Sequence, residues 1–307
     1  MTLSDSQRLH GLVAAPHTPF HPDGSLNLTV VEKQATHLLA NGVAAVFIGG
    51  STGECHSLTT DERRALAERW LAVTQGSALR VVVHVGGNCV EDARSLARHA
   101  EQHGAGAIGS LGPCYFKPAD VDALISCAEA VASAAPSTPF YYYDIPMLTG
   151  MHHSMPEFLA TAPGRIPNFA GIKFTNPDLV SYQSMLRIDG GKWDVPFGVD
   201  EHLLGALAMG AKGAVGSGFN FAAPVYVRLL RAFAAGDLDT ARAEQFRGVQ
   251  LIQLLSRYGY LPAAKAVMVM LGIDVGPARL PHRSLTIEKA ENLRRDLETL
   301  GFFEWVR

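Results

Sequence analysis

One alternation runs through most of the chain and limits what it can fold into. Short apolar runs rich in Val, Ile and Phe occupy residues 11–15, 44–48, 80–85, 107–111, 139–143, 169–174, 194–198 and 213–217. Each gives way to a polar turn and then to a longer stretch with helical spacing: 29–40, 60–74, 91–103, 119–134, 156–162, 179–187, 202–209 and 223–235. Within 60–74, for example, Leu66, Trp70 and Val73 recur at steps of three and four. Strand–helix units repeating at intervals of roughly 20–35 residues predict a (β/α)8 TIM barrel. A doubly wound open sheet ranks second, because it has fewer strands and a glycine-rich first turn. The alternation stops after Gly236, and further helical stretches follow at 238–257, 262–271 and 286–300. The chain therefore divides into a barrel over residues 1–235 and a C-terminal three-helix extension over 236–307, packed on the barrel or on a neighbouring subunit.

Composition fits a single large, water-soluble body. The 307 residues are 48% hydrophobic and 18% charged with mean hydropathy +0.10, which excludes disorder and needs no disulfide or metal staple. A formal charge of −3 leaves no basic patch to bind nucleic acid or an anionic membrane. Apolar stretches such as Leu203 to Met209 fall far short of a membrane span. The opening MTLSDSQRLH lacks an export signal, and Cys55, Cys89, Cys114 and Cys127 are scattered with no C-x-x-C pair. Both features predict a reducing cytoplasm.

In such barrels the chemistry sits just after the C-terminal ends of the strands. The second run ends in Gly49-Gly50-Ser51-Thr52-Gly53-Glu54. Glycines at such a turn can expose N–H groups to an anion, and Ser51 and Thr52 add hydroxyl donors, so a carboxylate or phosphate is the natural guest. The plain alternative is a glycine-rich turn, with Thr59 or Thr60 capping the next helix. The sixth run carries Lys173, one of seven lysines among 26 basic residues. A lysine in an apolar strand pays desolvation on its charged form, which lowers its pKa and frees a nucleophilic amine able to form a Schiff base with a ketone. The plain alternative is a buried ion pair. Lys33, Lys117, Lys192 and Lys212 read as exposed in helix or loops. The fifth run holds Tyr141, Tyr142 and Tyr143. Alternation sends two of them one way, so at least one hydroxyl faces the mouth near Lys173. The seventh and eighth runs end at Gly198-Val199-Asp200-Glu201 and at Ser217; Asp200 also suits a helix N-cap. Twelve histidines include the pair His152-His153 but no H-E-x-x-H spacing, so no metal is expected.

These residues together resemble the pyruvate-dependent class I aldolase family, which contains dihydrodipicolinate synthase and N-acetylneuraminate lyase. The resemblance runs from about Val13 to Arg283. It rests on GGSTGE at 49–54, Tyr143-Asp144-Ile145-Pro146, Gly171-Ile172-Lys173 and Gly213-Ala214-Val215-Gly216-Ser217. YYYDIPMLTG (141–150), GIKFTNPDL (171–179) and GVDEHLL (198–204) are similar to the lyase branch.

The resemblance implies that Lys173 forms an imine with a 2-oxo acid such as pyruvate, that Ser51 and Thr52 hold its carboxylate, and that Tyr143 relays the proton. It implies that Thr175, Gly198, Asp200, Glu201 and Ser217 bind sugar hydroxyls, with a homotetramer and no cofactor beyond the lysine itself. The expected reaction is reversible cleavage of N-acetylneuraminate to N-acetylmannosamine and pyruvate. The synthase branch binds a second carboxylate through an arginine, and here Leu148 stands at that position. Asp200 and Glu201 repel an anionic aldehyde but accept hydrogen bonds from a neutral, hydroxylated one. The sequence departs from the pattern at Asp144, where asparagine or histidine is usual, at Gly218-Phe219, and at Phe116, which lacks the hydroxyl of the synthase's tyrosine pair. Another aldehyde, such as that of a 2-keto-3-deoxy sugar acid, dihydrodipicolinate synthesis, and a non-catalytic barrel that binds a small acid are the alternatives.

Overall fold

The structure, a computed structural model, describes Ser4 and residues 7–307. Residues 1–3, 5 and 6, part of the opening read for an export signal and of the expected barrel unit, lie outside the described residues. Seven strands form one parallel sheet: β1 (Gly11–Ala14), β2 (Ala45–Ile48), β3 (Arg80–His84), β4 (Ala107–Ser110), β5 (Phe140–Asp144), β6 (Phe169–Phe174) and β7 (Gly213–Gly216). Their order, β6-β5-β4-β3-β2-β1-β7, leaves β6 and β7 as the two edges. The seventh predicted run, 194–198, lies between those edges but is not a regular strand. It bridges them through isolated pairings of Gly171 with Asp194, Phe174 with Phe197, and Phe197 with Ala214. The Gly198 N–H donates to Phe174 O (2.7 Å) on one side, and the Val215 N–H to Phe197 O (2.8 Å) on the other. Pro196 has no N–H to give, so a regular ladder cannot form there. The barrel closes all the same, and the fold is the expected (β/α)8 type.

The helices between strands follow the apolar spacing: α1 (Val31–Ala40), α2 (Thr60–Thr74), α3 (Val90–Gln102), α4 (Val121–Ala132), α5 (Pro146–Thr149), α6 (Met155–Thr161), α7 (Leu179–Met185), α8 (Leu203–Met209) and α9 (Phe219–Ala234). Helix α2 starts where a capping box sets it: the Glu62 N–H donates to Thr59 Oγ1 and the Thr59 N–H to Glu62 Oε2. After α9 come α10 (Leu238–Arg257), α11 (Tyr260–Met270), α12 (Ile287–Leu300) and a single turn, α13 (Phe302–Trp305). The turns α5 and α13 were not foreseen from the spacing.

Alternation along the strands sorts the core into two clusters. Val13, Phe47, Val82, Tyr141, Tyr143 and Val215 fill the barrel interior. A larger cluster lies between sheet and helices, and the extension shares it through Leu251, Leu255, Val267, Leu293 and Leu297. No helix among the described residues is long and apolar enough to cross a membrane.

Candidate active site

Lys173 reaches the barrel interior because β6 contains an irregularity. Ala170 faces inward, so strict alternation would turn residue 173 toward the helices. The β5–β6 register instead shifts between Phe140, which pairs with Phe169, and Tyr141, which pairs with Gly171. The extra residue restores Lys173 to the inner face beside Tyr143, its partner in the ladder. Gly171 is required at this bulge, since a Cβ there would lie 1.7 Å from Asp194 O.

The amine is buried, with 4% of Lys173 exposed. Its Nζ lies 3.7 Å from the Tyr143 ring centroid and 4.0 Å from that of Phe47. Burial lowers its pKa to about 7, against an opposing pull from the charges of Asp200 and Cys55. Lys173 forms no ion pair with a described carboxylate, so the buried-ion-pair alternative does not hold for this residue. It holds for a lysine that sequence reasoning passed over. Lys265, on α11, is buried and its Nζ lies 2.6 Å from Glu54 Oε1. Lys33, Lys117, Lys192 and Lys212 are exposed, as expected.

Tyr141 and Tyr143 both point inward while Tyr142 packs outward on Phe158. Tyr143 Oη lies 3.3 Å from Ser51 Oγ, which joins the lysine's neighbour to the glycine-rich turn. Burial raises the Tyr143 pKa well above that of a free phenol, so the hydroxyl rests protonated. Beneath these groups His84 donates from Nδ1 to Gly49 O (2.9 Å). Burial and the charges of Arg63 and Lys173 keep it neutral.

In the turn itself only Gly49 among the glycines has a left-handed backbone (φ 61°). The other residue in that region is Glu54, at φ 57°. The backbone N–H groups of Ser51 and Thr52 donate to no described acceptor. Together with their hydroxyls they can receive a carboxylate.

The next part of the rim, beyond β1, is built from the ends of β7 and the closing segment. Asp200 does not cap its own helix. Its Oδ2 accepts from the Gly218 N–H (2.7 Å), and a Cβ at Gly216 would lie 2.1 Å from its Oδ1. Burial first, then the neighbouring Glu201 charge, raises the Asp200 pKa to about 7. Glu201 is half-buried beside it. Thr175 Oγ1 is buried on the Tyr143 side of the site, and it sits where a Cβ at Gly198 would come within 2.1 Å. Ser217 Oγ lies 2.7 Å from Tyr260 Oη on α11.

Sequence reasoning missed Tyr260 and Lys265, because their partners are 43 and 211 residues away in the chain. Asp144 turns away from the lysine, and its Oδ2 accepts from Asn176 Nδ2 (3.2 Å). Phe219 packs on Tyr226 in the outer core and offers the rim nothing polar. Among the described residues, Glu68, His99 and His103 are the one group with donor atoms close enough to share a metal ion. They lie on the outer helices, where His99 Nε2 bonds Glu68 Oε1 at 2.8 Å.

A closed parallel barrel with an unpaired, buried lysine beside a tyrosine at the C-terminal strand ends defines a class of protein built for covalent chemistry on a carbonyl. The family model of the dihydrodipicolinate synthetase family matches residues 8–300, and the chain belongs to that family. It is 39% identical over 303 residues to an N-acetylneuraminate lyase of Rattus norvegicus, covering 97% of this chain and 95% of that one. Among solved structures, the N-acetylneuraminate lyase of Proteus mirabilis matches with TM-score 0.93 and 42% identity, covering 96% of this chain and 99% of the other. A DHDPS crystal structure from Cyanidioschyzon merolae matches with TM-score 0.88 and 27% identity, covering 95% and 98%.

Proposed function

We propose that the protein is a Schiff-base aldolase that reversibly cleaves N-acetylneuraminate to N-acetylmannosamine and pyruvate. One observation carries the reading: the Lys173 amine is buried without a carboxylate partner among the described residues, against Tyr143 and next to the Ser51–Thr52 turn. Likeness to N-acetylneuraminate lyases of other organisms favours this branch over the synthases. So does the site. By the family resemblance, Leu148 takes the position where a second substrate carboxylate would need a cation, and Asp200 and Glu201 line the rim that a polyol would meet.

In the cleavage direction, neutral Lys173 Nζ adds to the C2 ketone of the open-chain acid to give a carbinolamine, which takes up one proton from solvent and loses water, giving a protonated imine. Ser51 and Thr52 hold the C1 carboxylate. Tyr143 accepts the C4 hydroxyl proton while passing its own proton to that carboxylate. The C3–C4 bond then breaks, its electron pair moves into the imine, and N-acetylmannosamine departs as the free aldehyde. Tyr143 returns the proton held by the carboxylate to C3 of the enamine, and hydrolysis of the resulting protonated imine releases pyruvate, neutral Lys173 and the proton taken up at the start. The imine is the electron sink, so the steps call for no metal or organic cofactor. Thr175, Gly198, Asp200, Glu201 and Ser217 orient the sugar.

The same reading includes a homotetramer and a barrel through residue 235 with its extension from 236. A cytoplasmic location fits four cysteines that are all free thiols. The test is borohydride reduction in the presence of pyruvate followed by peptide mapping. The expected result is a single adduct on Lys173, with kcat/KM for N-acetylmannosamine at least about tenfold above that for other aldehydes. No adduct would make the barrel a binder of small acids. An adduct with a different preferred aldehyde would make it an aldolase for another sugar acid.

A further inference from the structure

Helix α11 lies outside the eight strand–helix units, yet two of its side chains end on separate parts of the barrel rim, one after β2 and one after β7, the two neighbours of β1. After β2, Lys265 Nζ donates to Glu54 Oε1 (2.6 Å) and to Pro277 O (2.7 Å), while the Arg279 N–H donates to Glu54 Oε2 (2.8 Å). Lys265 and Glu54 side chains are 3% and 1% exposed. Glu54 closes the turn that carries Ser51 and Thr52: its N–H donates to Ser51 O, and the Cys55 N–H returns to Gly50 O. Its backbone is left-handed, a conformation that costs a residue with a Cβ free energy and persists only where surroundings hold it. The surroundings that hold it come from the extension. At the end of β7, one and a half turns earlier on the same helix, Tyr260 Oη meets Ser217 Oγ at 2.7 Å.

We propose that α11 is a brace for the active site, in which Lys265 positions the Ser51–Thr52 turn through Glu54 while Tyr260 positions Ser217. The proposal rests on the reading of Lys173 as the imine-forming residue. Neither Lys265, Glu54 nor Tyr260 needs to touch substrate. They are positioning residues, each tied to the part of the rim that faces a different half of the reaction. A buried ion pair that serves only stability would not distinguish the two substrates, whereas a brace does. Loosening the Glu54 side disturbs the carboxylate donors and so weakens pyruvate. Loosening the Ser217 side disturbs the sugar contacts and leaves pyruvate alone.

The experiment is steady-state kinetics of pyruvate plus N-acetylmannosamine condensation in two variants. Glu54→Gln with Lys265→Met removes both charges together, so neither is left buried alone. Tyr260→Phe removes one oxygen and keeps the packing. The double variant is expected to raise KM for pyruvate about tenfold, with KM for N-acetylmannosamine within about twofold of wild type. Tyr260→Phe is expected to do the reverse, raising KM for N-acetylmannosamine by about fivefold. Equal changes in both KM values, or a fall in kcat alone, overturn the brace. If the double variant does not fold, the Tyr260→Phe split still decides, because a change in pyruvate KM there sinks the proposal. Lys173 trapping with saturating pyruvate separates the two levels. Without an adduct in wild type the proposed function fails, whereas an adduct in wild type without the KM split means that only the brace fails.

Discussion

Lys173 is an amine held where its charge is disfavoured. Moving its pKa from 10.5 to about 7 corresponds to about 5 kcal/mol of preference for the neutral form. Two aromatic rings face the nitrogen and soften that cost for whatever fraction is still protonated. Between about pH 7 and 10.5 the unfolded chain keeps this proton and the folded protein does not. The lysine's contribution to stability therefore rises with pH through that window. The same pKa governs reactivity. Trapping of the imine by cyanoborohydride in the presence of pyruvate is expected to accelerate about tenfold per pH unit below 7 and to level off above it. A rate that is flat from about pH 5 to 9, or that inflects only near 10, would falsify the assignment of the depressed amine to Lys173. At this scale the sequence was readable where a polar residue broke an apolar run, which is how Lys173 stood out, and where polar residues followed the end of a run, as Asp200 does. Lys265 was not readable, since a lysine within a helical stretch carries no mark of the buried carboxylate that pairs with it from the other end of the chain.

Strand β6 shows how an element can reverse the meaning of its own sequence. Counted by twos from Ala170, which faces inward, Lys173 belongs on the outer face, and only the bulge opposite Tyr141 turns it in. The bulge depends on Asp194 O pressing against the α-carbon of Gly171, where no side chain fits. Gly171→Ala is therefore expected to cost at least about 2 kcal/mol of stability and to lose Lys173 trapping even in molecules that remain folded. Thermal unfolding and peptide mapping of the adduct measure the two effects; normal trapping with a normal Tm would remove the bulge from the account. Elements with strong local signals matched the sequence closely. Helix α2 spans Thr60–Thr74 as its apolar spacing and the Thr59–Glu62 capping box dictate. The closing segment looked like a strand because Val195 and Phe197 alternate, and tertiary hydrogen bonds do hold it between β6 and β7. Pro196 breaks its ladder, a detail that hydrophobic periodicity does not register.

At the scale of the whole molecule, the mouth of the barrel carries apolar side chains that a monomer would leave in water. Tyr115 and Phe116 are 77% and 84% exposed, with their rings 5.0 Å apart, and Met147 and Leu148 on α5 are 84% and 65% exposed. The two loops adjoin: a Cβ at Gly150, which ends α5, would meet the Lys117 side chain at 3.3 Å. Burying four such side chains against another copy would offer roughly 1.5–3 kcal/mol each before the cost of association. Exposed apolar side chains on two adjoining loops are what a subunit interface leaves behind in a single chain. The proposed homotetramer therefore meets its test here. Light scattering at micromolar protein is expected to give the mass of four chains. Tyr115→Asp with Phe116→Asp is expected to give a smaller species that still forms the Lys173 adduct, because both side chains are largely exposed while Lys173 is buried inside the barrel. A wild-type mass of one chain would remove the tetramer. A four-chain mass that survives both aspartates would keep the tetramer and move its interface elsewhere.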